Sequence, residues 1–430
     1  MPSTRSDPRP TIRAVITALL PLLLVLSLAA CSTEDDDPAV PSADTNDDER
    51  TGETEPALDV AAALARALRR RADAVRSGDQ AAFEAGVSGT DPDFVRTQSM
   101  YLTNLEQLPL GQFDYRLDRN SIVRSARGYW ATVDVTLELE GYDERPVVTR
   151  DRYLFRPQAD GRLALASVTN PAWERQNRID PQPWDLGPIT VRSGAGVLGV
   201  FDAGSAVQAD GLVSEAERGI TEVAAEVPFV WDPNVVLFAL SDADFMSSLE
   251  DVPGGEPLNL DAVTFQVPAR PGSRRIADTR IVLNPRMVAG AEPGRGRLVR
   301  HELTHVAVGD RAAGVPTWLI EGLAEYVSVR PLPPEDRAIS EAALAAAEAG
   351  LSGLPSDEEF AGPTSAASYG VAWWVCEYLA RSYSESILWS LLEVMPEKGE
   401  EVALADLLVT DEAALARRAG RLMLATYQQD

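Results

Sequence analysis

Both histidines of this 430-residue chain lie in one short segment, "VRHELTHVAVG", at residues 299–309. His301 and His305 are four residues apart, so on a helix their imidazoles project from one face and can bind the same ion. Glu302 lies between them, close enough to reach a water on that ion without binding the ion itself. This is the H-E-x-x-H pattern, in which two neutral imidazoles bind zinc and the glutamate acts as general base.

A third metal ligand is expected from a nearby helix, because hydrolytic zinc sites use three protein ligands and keep one position open for water. The segment "PTWLIEGLAEYVSV", residues 316–329, supplies such a helix, with Pro316 at its start. Glu321 and Glu325 are one turn apart on it. Exposed helical glutamates are the ordinary alternative, but two carboxylates among apolar residues favour a site. The residues predicted to form the buried face of this helix are Trp318, Leu319, Leu323 and Val327.

"HELTH" followed by "WLIEGLAEY" resembles the gluzincin metallopeptidases of the MA clan, and "EGLAEY" is similar to the ligand helix of membrane alanyl aminopeptidases. The resemblance covers residues 189–430 and implies a zincin-type peptidase domain with a small sheet, an active-site helix and an all-helical C-terminal lobe. It implies one catalytic Zn²⁺ and assigns the site residues as follows: His301, His305 and Glu321 as metal ligands, Glu302 as the base, and Glu325 as the carboxylate that orients a ligand histidine.

Two features depart from better-known gluzincins. The glycine-rich exopeptidase motif is not evident before the predicted metal helix, which leaves both endopeptidase and exopeptidase action open. The chain has no third histidine, so a tyrosine, an arginine or a backbone amide must stabilise the negative charge of the transition state. Tyr369 resembles the tyrosine that many gluzincins supply from this region, and Tyr326 is the competing candidate. A packing role is the alternative for both.

The strand predicted at residues 279–285, "TRIVLNP", precedes the metal helix. The resemblance implies that an edge strand here binds extended substrate by backbone pairing. An ordinary core strand is an equal alternative.

The N-terminus has the pattern of an export signal, with a basic start, an apolar stretch at residues 14–28 and the ending "LAAC" at Cys31. The apolar stretch is shorter than the roughly 20 residues of a typical membrane span, although an uncleaved signal anchor remains the alternative. "LAAC" resembles the bacterial lipoprotein lipobox, which implies cleavage before Cys31 and lipidation of that residue. Only Cys376 then remains, so no intramolecular disulfide can form, and its apolar context predicts a buried thiol.

Between the signal and the peptidase region, we predict a second globular domain. Residues 1–30 are the signal peptide, residues 31–56 an acidic disordered tether, residues 57–170 an α+β domain, and residues 171–188 a linker rich in proline and polar groups. In the α+β domain, helical patterns precede strands, and apolar and polar residues alternate from Ala131 to Glu140 as in a half-buried antiparallel strand.

Helices followed by a curled, cone-like antiparallel sheet resemble the nuclear-transport-factor-2-like (SnoaL-like) fold. The domain shows no paired catalytic acid and base, so a spacer or interaction module is the first interpretation. A small-ligand pocket that regulates the peptidase is the alternative, because an aromatic set could line a pocket as well as a core. That set is Phe113, Tyr115, Trp130 and Tyr153.

The sequence therefore predicts an α+β protein that acts as an extracytoplasmic zinc metallopeptidase, lipid-anchored to the outer face of the bacterial cell membrane. Zinc-activated water would hydrolyse peptide bonds of a peptide or protein substrate, with Glu302 as base. A formal net charge of −27 makes nucleic acid a poor partner. The alternative is a non-catalytic surface binding or scaffolding lipoprotein with a vestigial or structural zinc site, although a structural site has no need of Glu302.

Overall fold

The computed structural model describes residues 59–179, 181–249, 252, 255–290 and 294–428. The predicted signal peptide, the lipidation site Cys31 and the acidic tether lie outside the described residues. Within the described part of the chain, no helix combines the length and the apolar character needed to cross a membrane.

The fold is α+β, with helices at the start of the described chain, two sheets in its middle and a helical C-terminal region. The α-helices are α1 (Val60–Ser77), α2 (Gln80–Ala85), α3 (Pro92–Leu105), α4 (Pro171–Asn177), α5 (Pro183–Leu186), α6 (Ala209–Glu226), α7 (Asp244–Ser248), α8 (Pro285–Val288), α9 (Gly294–Val308), α10 (Thr317–Val329), α11 (Glu341–Ala349), α12 (Asp357–Ala361), α13 (Ser365–Ser382), α14 (Ser386–Lys398), α15 (Glu400–Leu408) and α16 (Glu412–Tyr427). The strands are β1 (Leu110–Leu117), β2 (Val123–Ser125), β3 (Gly128–Leu139), β4 (Val147–Pro157), β5 (Leu163–Ser167), β6 (Ile189–Gly194), β7 (Val197–Asp202), β8 (Val235–Ala239), β9 (Ala262–Pro268) and β10 (Ile276–Leu283).

The first sheet is antiparallel and curled, with the strand order β1-β3-β4-β5 and with β2 paired to β3. The turn at Asp160 and Gly161 joins β4 to β5, as the sequence predicts, and Gly161 takes a φ of 76°. The expectation that β3 is half-buried is wrong for Asp134, which is only 5% exposed. Arg116 and Arg150 lie on the strands that flank β3. They bind the carboxylate of Asp134 at 2.5 and 2.8 Å and cover the polar face of β3.

The second sheet is mixed and has the order β6-β7-β8-β10-β9. Strands β7, β8 and β10 are parallel, whereas β6 and β9 are antiparallel to their neighbours. A parallel pair needs a crossover, and α6 provides it between β7 and β8. Every residue of β8 is buried, as expected for a strand covered on both faces.

The interpretation of residues 279–285 as a substrate-binding edge strand is wrong. These residues form most of β10, which is paired with β8 on one side and β9 on the other, so the core-strand alternative applies. The edge strand at this end of the sheet is β9. After β9 the chain turns back, and β10 lies between β9 and β8.

The two sheets share a hydrophobic core. One face of the second sheet packs with residues of the first sheet and α1, through side chains such as Val200, Phe238 and Val282. We call residues 59–170, which contain the first sheet, the first region. Arg280, 2% exposed, binds Asp143 of the first region at 2.9 Å and Asp278 of its own strand at 3.0 Å. The described residues therefore belong to a single compact unit.

The segment predicted as a linker contains α4 and α5 and packs against α3. Asn104 of α3 donates hydrogen bonds to the carbonyl oxygens of Trp184 at 2.9 Å and Gly187 at 2.8 Å, and accepts one from the amide of Ile189 at 3.1 Å. The division of the chain at residues 171–188 stays a prediction, but this segment is fixed to the first region by its backbone.

The C-terminal helices pack around α13. Gly322 of α10 faces this helix so closely that a Cβ atom there would lie 2.6 Å from the carbonyl oxygen of Ala372 and 2.8 Å from the sulfur of Cys376. The predicted burial of Cys376 is confirmed, since the residue is fully buried and its thiol is free. The glycine thus brings α10 and α13 together, and both helices carry side chains of the candidate site.

Candidate metal centre

Helix α9 presents His301 and His305 to one side, as the four-residue spacing predicts. The helix packs through Val299 and Leu303, both 1% exposed, into the core beside α6. Gly219 of α6 allows this contact, because a Cβ atom there would lie 2.8 Å from a methyl group of Leu303. The helix ends at Val308, and a glycine with a φ of 54° follows, as expected for a helix C-terminus.

Helix α10 brings the second set of ligand atoms. It begins at Thr317, directly after Pro316, and its predicted apolar face is buried against the core. Glu321 and Glu325 are on the side that faces α9, where both carboxylates meet the histidines.

Three side-chain atoms of the two helices converge on one point. His301 Nε2 lies 3.1 Å from His305 Nε2 and 3.2 Å from Glu321 Oε2, and His305 Nε2 lies 3.4 Å from the same oxygen. Ligands about 2.0–2.1 Å from a tetrahedral zinc ion are separated from one another by about 3.3–3.4 Å. The triangle of ligand atoms therefore has the size that a four-coordinate divalent ion requires.

Glu325 fixes the tautomer of His301. Its Oε1 lies 3.3 Å from His301 Nδ1, so that nitrogen carries the hydrogen and Nε2 presents its lone pair to the convergence point. Glu325 in turn binds Arg297, which also donates a hydrogen bond to the carbonyl oxygen of Ala338 at 2.9 Å. Burial raises the pKa of Glu325, but the bonds to His301 and Arg297 outweigh it and keep the pKa well below its ordinary value.

The donor chemistry fits a metal ion. The Glu321 carboxylate opposes two imidazole nitrogens, and its buried Oε2 makes no hydrogen bond of good geometry. Within the described residues, His301, His305 and Glu321 are a group that can hold a metal ion. Two imidazoles and one carboxylate that converge on one point are a ligand set typical of a metal site.

Glu302 lies beside the metal ligands and is held by the edge strand. It is 5% exposed, and the hydroxyl of Thr264 on β9 donates a hydrogen bond to its Oε2 at 2.6 Å. Sequence reasoning missed Thr264, because it placed the edge strand at residues 279–285. The signal was present in β9, where polar Thr264 and Gln266 alternate with apolar residues.

The structure separates the two candidate tyrosines. Tyr369 of α13 lines the cleft of the metal ligands, with its ring centroid 6.1 Å from that of His301. Burial, together with the nearby charges of Glu321 and Glu302, raises the pKa of Tyr369, so its hydroxyl stays protonated and can donate. Tyr326 points elsewhere, since its hydroxyl donates to Glu385 Oε1 at 2.8 Å.

The site opens into a cleft of about 1020 Å³. Its lining includes the three ligand residues, Glu302, Tyr369 and the edge strand β9. This volume is at the upper end of the roughly 300–1,000 Å³ of ligand sites, so the cleft can hold a segment of polypeptide.

Comparisons with protein-family models, with curated proteins and with solved structures give no match. Function is therefore inferred from the geometry of the site and from the motifs that it contains.

Proposed function

We propose that this protein is a zinc metallopeptidase of the gluzincin type that hydrolyses peptide bonds. The observation that carries the proposal is the triangle of His301, His305 and Glu321 with Glu302 beside it in an open cleft. Imidazole and carboxylate ligands in a tetrahedral arrangement suit zinc. A purely structural site has its coordination closed by protein, whereas three ligands leave a position for water.

Each residue of the site then has a chemical role. Zinc, when bound, supplies Lewis-acid polarisation and lowers the pKa of water toward about 7. Glu302 accepts the proton of the attacking water and returns it to the leaving amine, and the hydrogen bond from Thr264 holds its carboxylate in place. Tyr369 donates a hydrogen bond to the oxyanion that forms at the peptide carbonyl.

The proposal also includes the location of the enzyme. The export signal, the "LAAC" ending and Cys31 support a lipid anchor on the outer face of the bacterial membrane. Acyl chains contribute about 0.8 kcal/mol per buried CH₂, so a multiply acylated Cys31 would hold the protein at the bilayer surface.

The test compares wild type with Glu302→Gln for zinc content and for cleavage of a quenched peptide library. We expect the variant to keep zinc and to lose about 10²–10⁴-fold in kcat, the usual contribution of a general base. Glu393→Gln, on the exposed side of α14, is the matched control and should leave both quantities unchanged. If wild type cleaves no peptide or denatured protein in a Glu302-dependent manner, the non-catalytic scaffolding alternative replaces this proposal.

A further inference from the structure

The edge strand β9 divides the cleft into two sides. Thr264 and Gln266 point toward α9 and the turn that follows it: Thr264 binds Glu302 of α9, and Gln266 Nε2 donates a hydrogen bond to Asp310, two residues after the end of α9, at 3.3 Å. Val263 and Phe265 alternate with them and pack toward the first sheet. The cleft is lined by residues of both sets, so it extends over the edge of β9 to the side away from the metal ligands.

The first sheet forms the wall on that far side. The lining there includes residues 147–150 at the start of β4, together with Ile179 and Gln182. The wall is fixed to the peptidase region, because the amide of Val148 donates a hydrogen bond to the carbonyl oxygen of Ala269, directly after β9, at 3.0 Å. The buried ion pair between Arg280 and Asp143 fastens the same two regions.

A second, smaller cavity adjoins the cleft at this wall. It has a volume of about 200 Å³, and the residues that it shares with the cleft include Thr149, Ile179 and Gln182. Its lining combines apolar and aromatic residues with charged ones. The first set includes Tyr101, Val135, Leu137, Tyr153 and Trp184, and the charged residues are Arg71, Asp151, Glu174, Asp185 and Arg280. Sites for whole small molecules are typically about 300–1,000 Å³, so this cavity has room for one large side chain.

The position of β9 makes such a side chain available. In the described part of the chain, β9 pairs with β10 and with no other strand, so its outer edge faces the cleft. A polypeptide that pairs with this edge places successive side chains on opposite faces of the sheet. Every second side chain then points to the wall formed by the first sheet.

We propose that the first α+β region is a specificity element of the substrate site, and that the 200 Å³ cavity receives one large apolar side chain of an extended polypeptide bound along β9. The inference rests on the proposed function for the chemistry, but it concerns binding, which can be measured without turnover. It assigns to this region a direct contact with substrate.

The experiment measures peptide binding to the zinc-loaded Glu302→Gln protein by fluorescence anisotropy. The probes are labelled extended peptides that are identical except at one scanned position, which is Phe, Ala or Glu. At one position we expect Phe to bind about 10-fold more tightly than Ala, since an apolar pocket discriminates by roughly that factor. Glu should bind no better than Ala.

Substitutions at the shared wall locate the effect. Adding Thr149→Trp should fill the entrance and remove the roughly 10-fold preference for Phe, while binding of the Ala peptide stays within about 2-fold. Thr103→Trp, on the exposed face of α3, is the control and should keep the preference. Ile179→Trp is a second filling variant, and zinc content together with circular dichroism verifies that each variant is folded.

The outcomes separate the two proposals. If no peptide shows a preference for Phe, or if folded Thr149→Trp and Ile179→Trp proteins retain it, the specificity element is refuted even when wild type cleaves peptides. If the preference is present and sensitive to both substitutions but wild type shows no Glu302-dependent cleavage, the binding site stands and the peptidase proposal fails.

Discussion

Two regions of this protein bury carboxyl groups, and the pKa of the buried group is lowered in one region and raised in the other. At the metal centre, Glu325 lies between His301 and Arg297, and these partners keep its pKa low despite burial. In the first-sheet cavity, burial and the nearby carboxylates of Asp185 and Glu174 raise the pKa of Asp151 to about 8. Burial by itself raises the pKa of the carboxyl group in both places, so the neighbouring charged groups decide whether that carboxyl is ionised. The candidate metal centre keeps the pKa of its carboxyl groups low, as binding of a cation requires, whereas the cavity raises the pKa of Asp151 and favours its neutral form.

Metal removal gives the largest contrast between the two regions. Dialysis against a chelator should abolish Glu302-dependent cleavage, and added zinc should restore it, because only the α9–α10 region supplies the ligands proposed here. Hydrogen exchange should accelerate in α10 and stay unchanged in β3. Equal acceleration in β3 would show that the two regions depend on the metal alike.

Arg280→Ala should test whether the buried ion pair between Arg280 and Asp143 holds the first region to the second sheet. Loss of this side chain leaves Asp143 and Asp278 buried with backbone hydrogen bonds but without their cationic partner, so we expect a loss of about 3–5 kcal/mol in the free energy of unfolding by urea. Arg96→Ala breaks an exposed pair with Asp93 and should cost less than about 1 kcal/mol. Similar losses in both variants would contradict a special role for Arg280.

Tyr369→Phe should lower kcat without changing zinc binding. Removing one oxyanion donor typically lowers kcat by about 10²–10³, and we expect this loss with unchanged zinc content. Tyr326→Phe removes the same hydroxyl from a residue whose partner is Glu385, so its kcat should stay near that of wild type. A larger loss in Tyr326→Phe would reverse the assignment.

Arg297→Ala should weaken the metal centre through Glu325. Groups that hold the partner of a ligand histidine usually contribute about 10–100-fold to metal affinity, and we expect a loss in this range by competition with a chelating dye. Arg297→Lys should restore part of it, since lysine keeps the charge without the planar donor fork. Unchanged metal affinity in Arg297→Ala would show that Glu325 positions His301 without help from Arg297.

Asp151→Asn should change how the stability of the protein depends on pH. The pKa of this carboxyl is about 8 in the folded protein and ordinarily 3.8, so the folded state holds the proton more tightly. The free energy of unfolding of wild type therefore falls as the pH rises from about 4 to about 8, and the variant lacks this contribution. Urea unfolding at pH 5 and pH 8 measures the difference, and an identical pH dependence in both proteins would contradict the raised pKa.

Local spacing accounts for what the sequence predicts well. His301 and His305 are related by one helical turn, as are Glu321 and Glu325, so the sequence orients each pair before any tertiary contact forms. The residues that it missed depend on pairing over long distances. The alternation in β9 marks a strand with one polar face, but strand order is not encoded in alternation, so it does not show that β9 is the edge strand beside Glu302.

The first sheet shows the same limit in its burial. The alternation in β3 predicts an exposed polar face, but Arg116 and Arg150 arrive from neighbouring strands and cover Asp134 there. The segment at residues 171–188 has the composition of a linker, yet Asn104 of a distant helix binds its backbone. In both cases a side chain far away in sequence satisfies polar groups that the local pattern assigns to solvent.

In the proposed peptidase, Gly322 would link catalysis to an ordinary packing position. The absence of a side chain there sets the distance between the helix of Glu321 and the helix of Tyr369. A methyl group at this position would push the two helices apart and misalign the acid with the phenol, although neither residue had been altered. The proposed activity would then fall together with stability, since overpacking of a close contact typically costs about 1–3 kcal/mol, and only an assay of cleavage beside the melting temperature would separate the two losses.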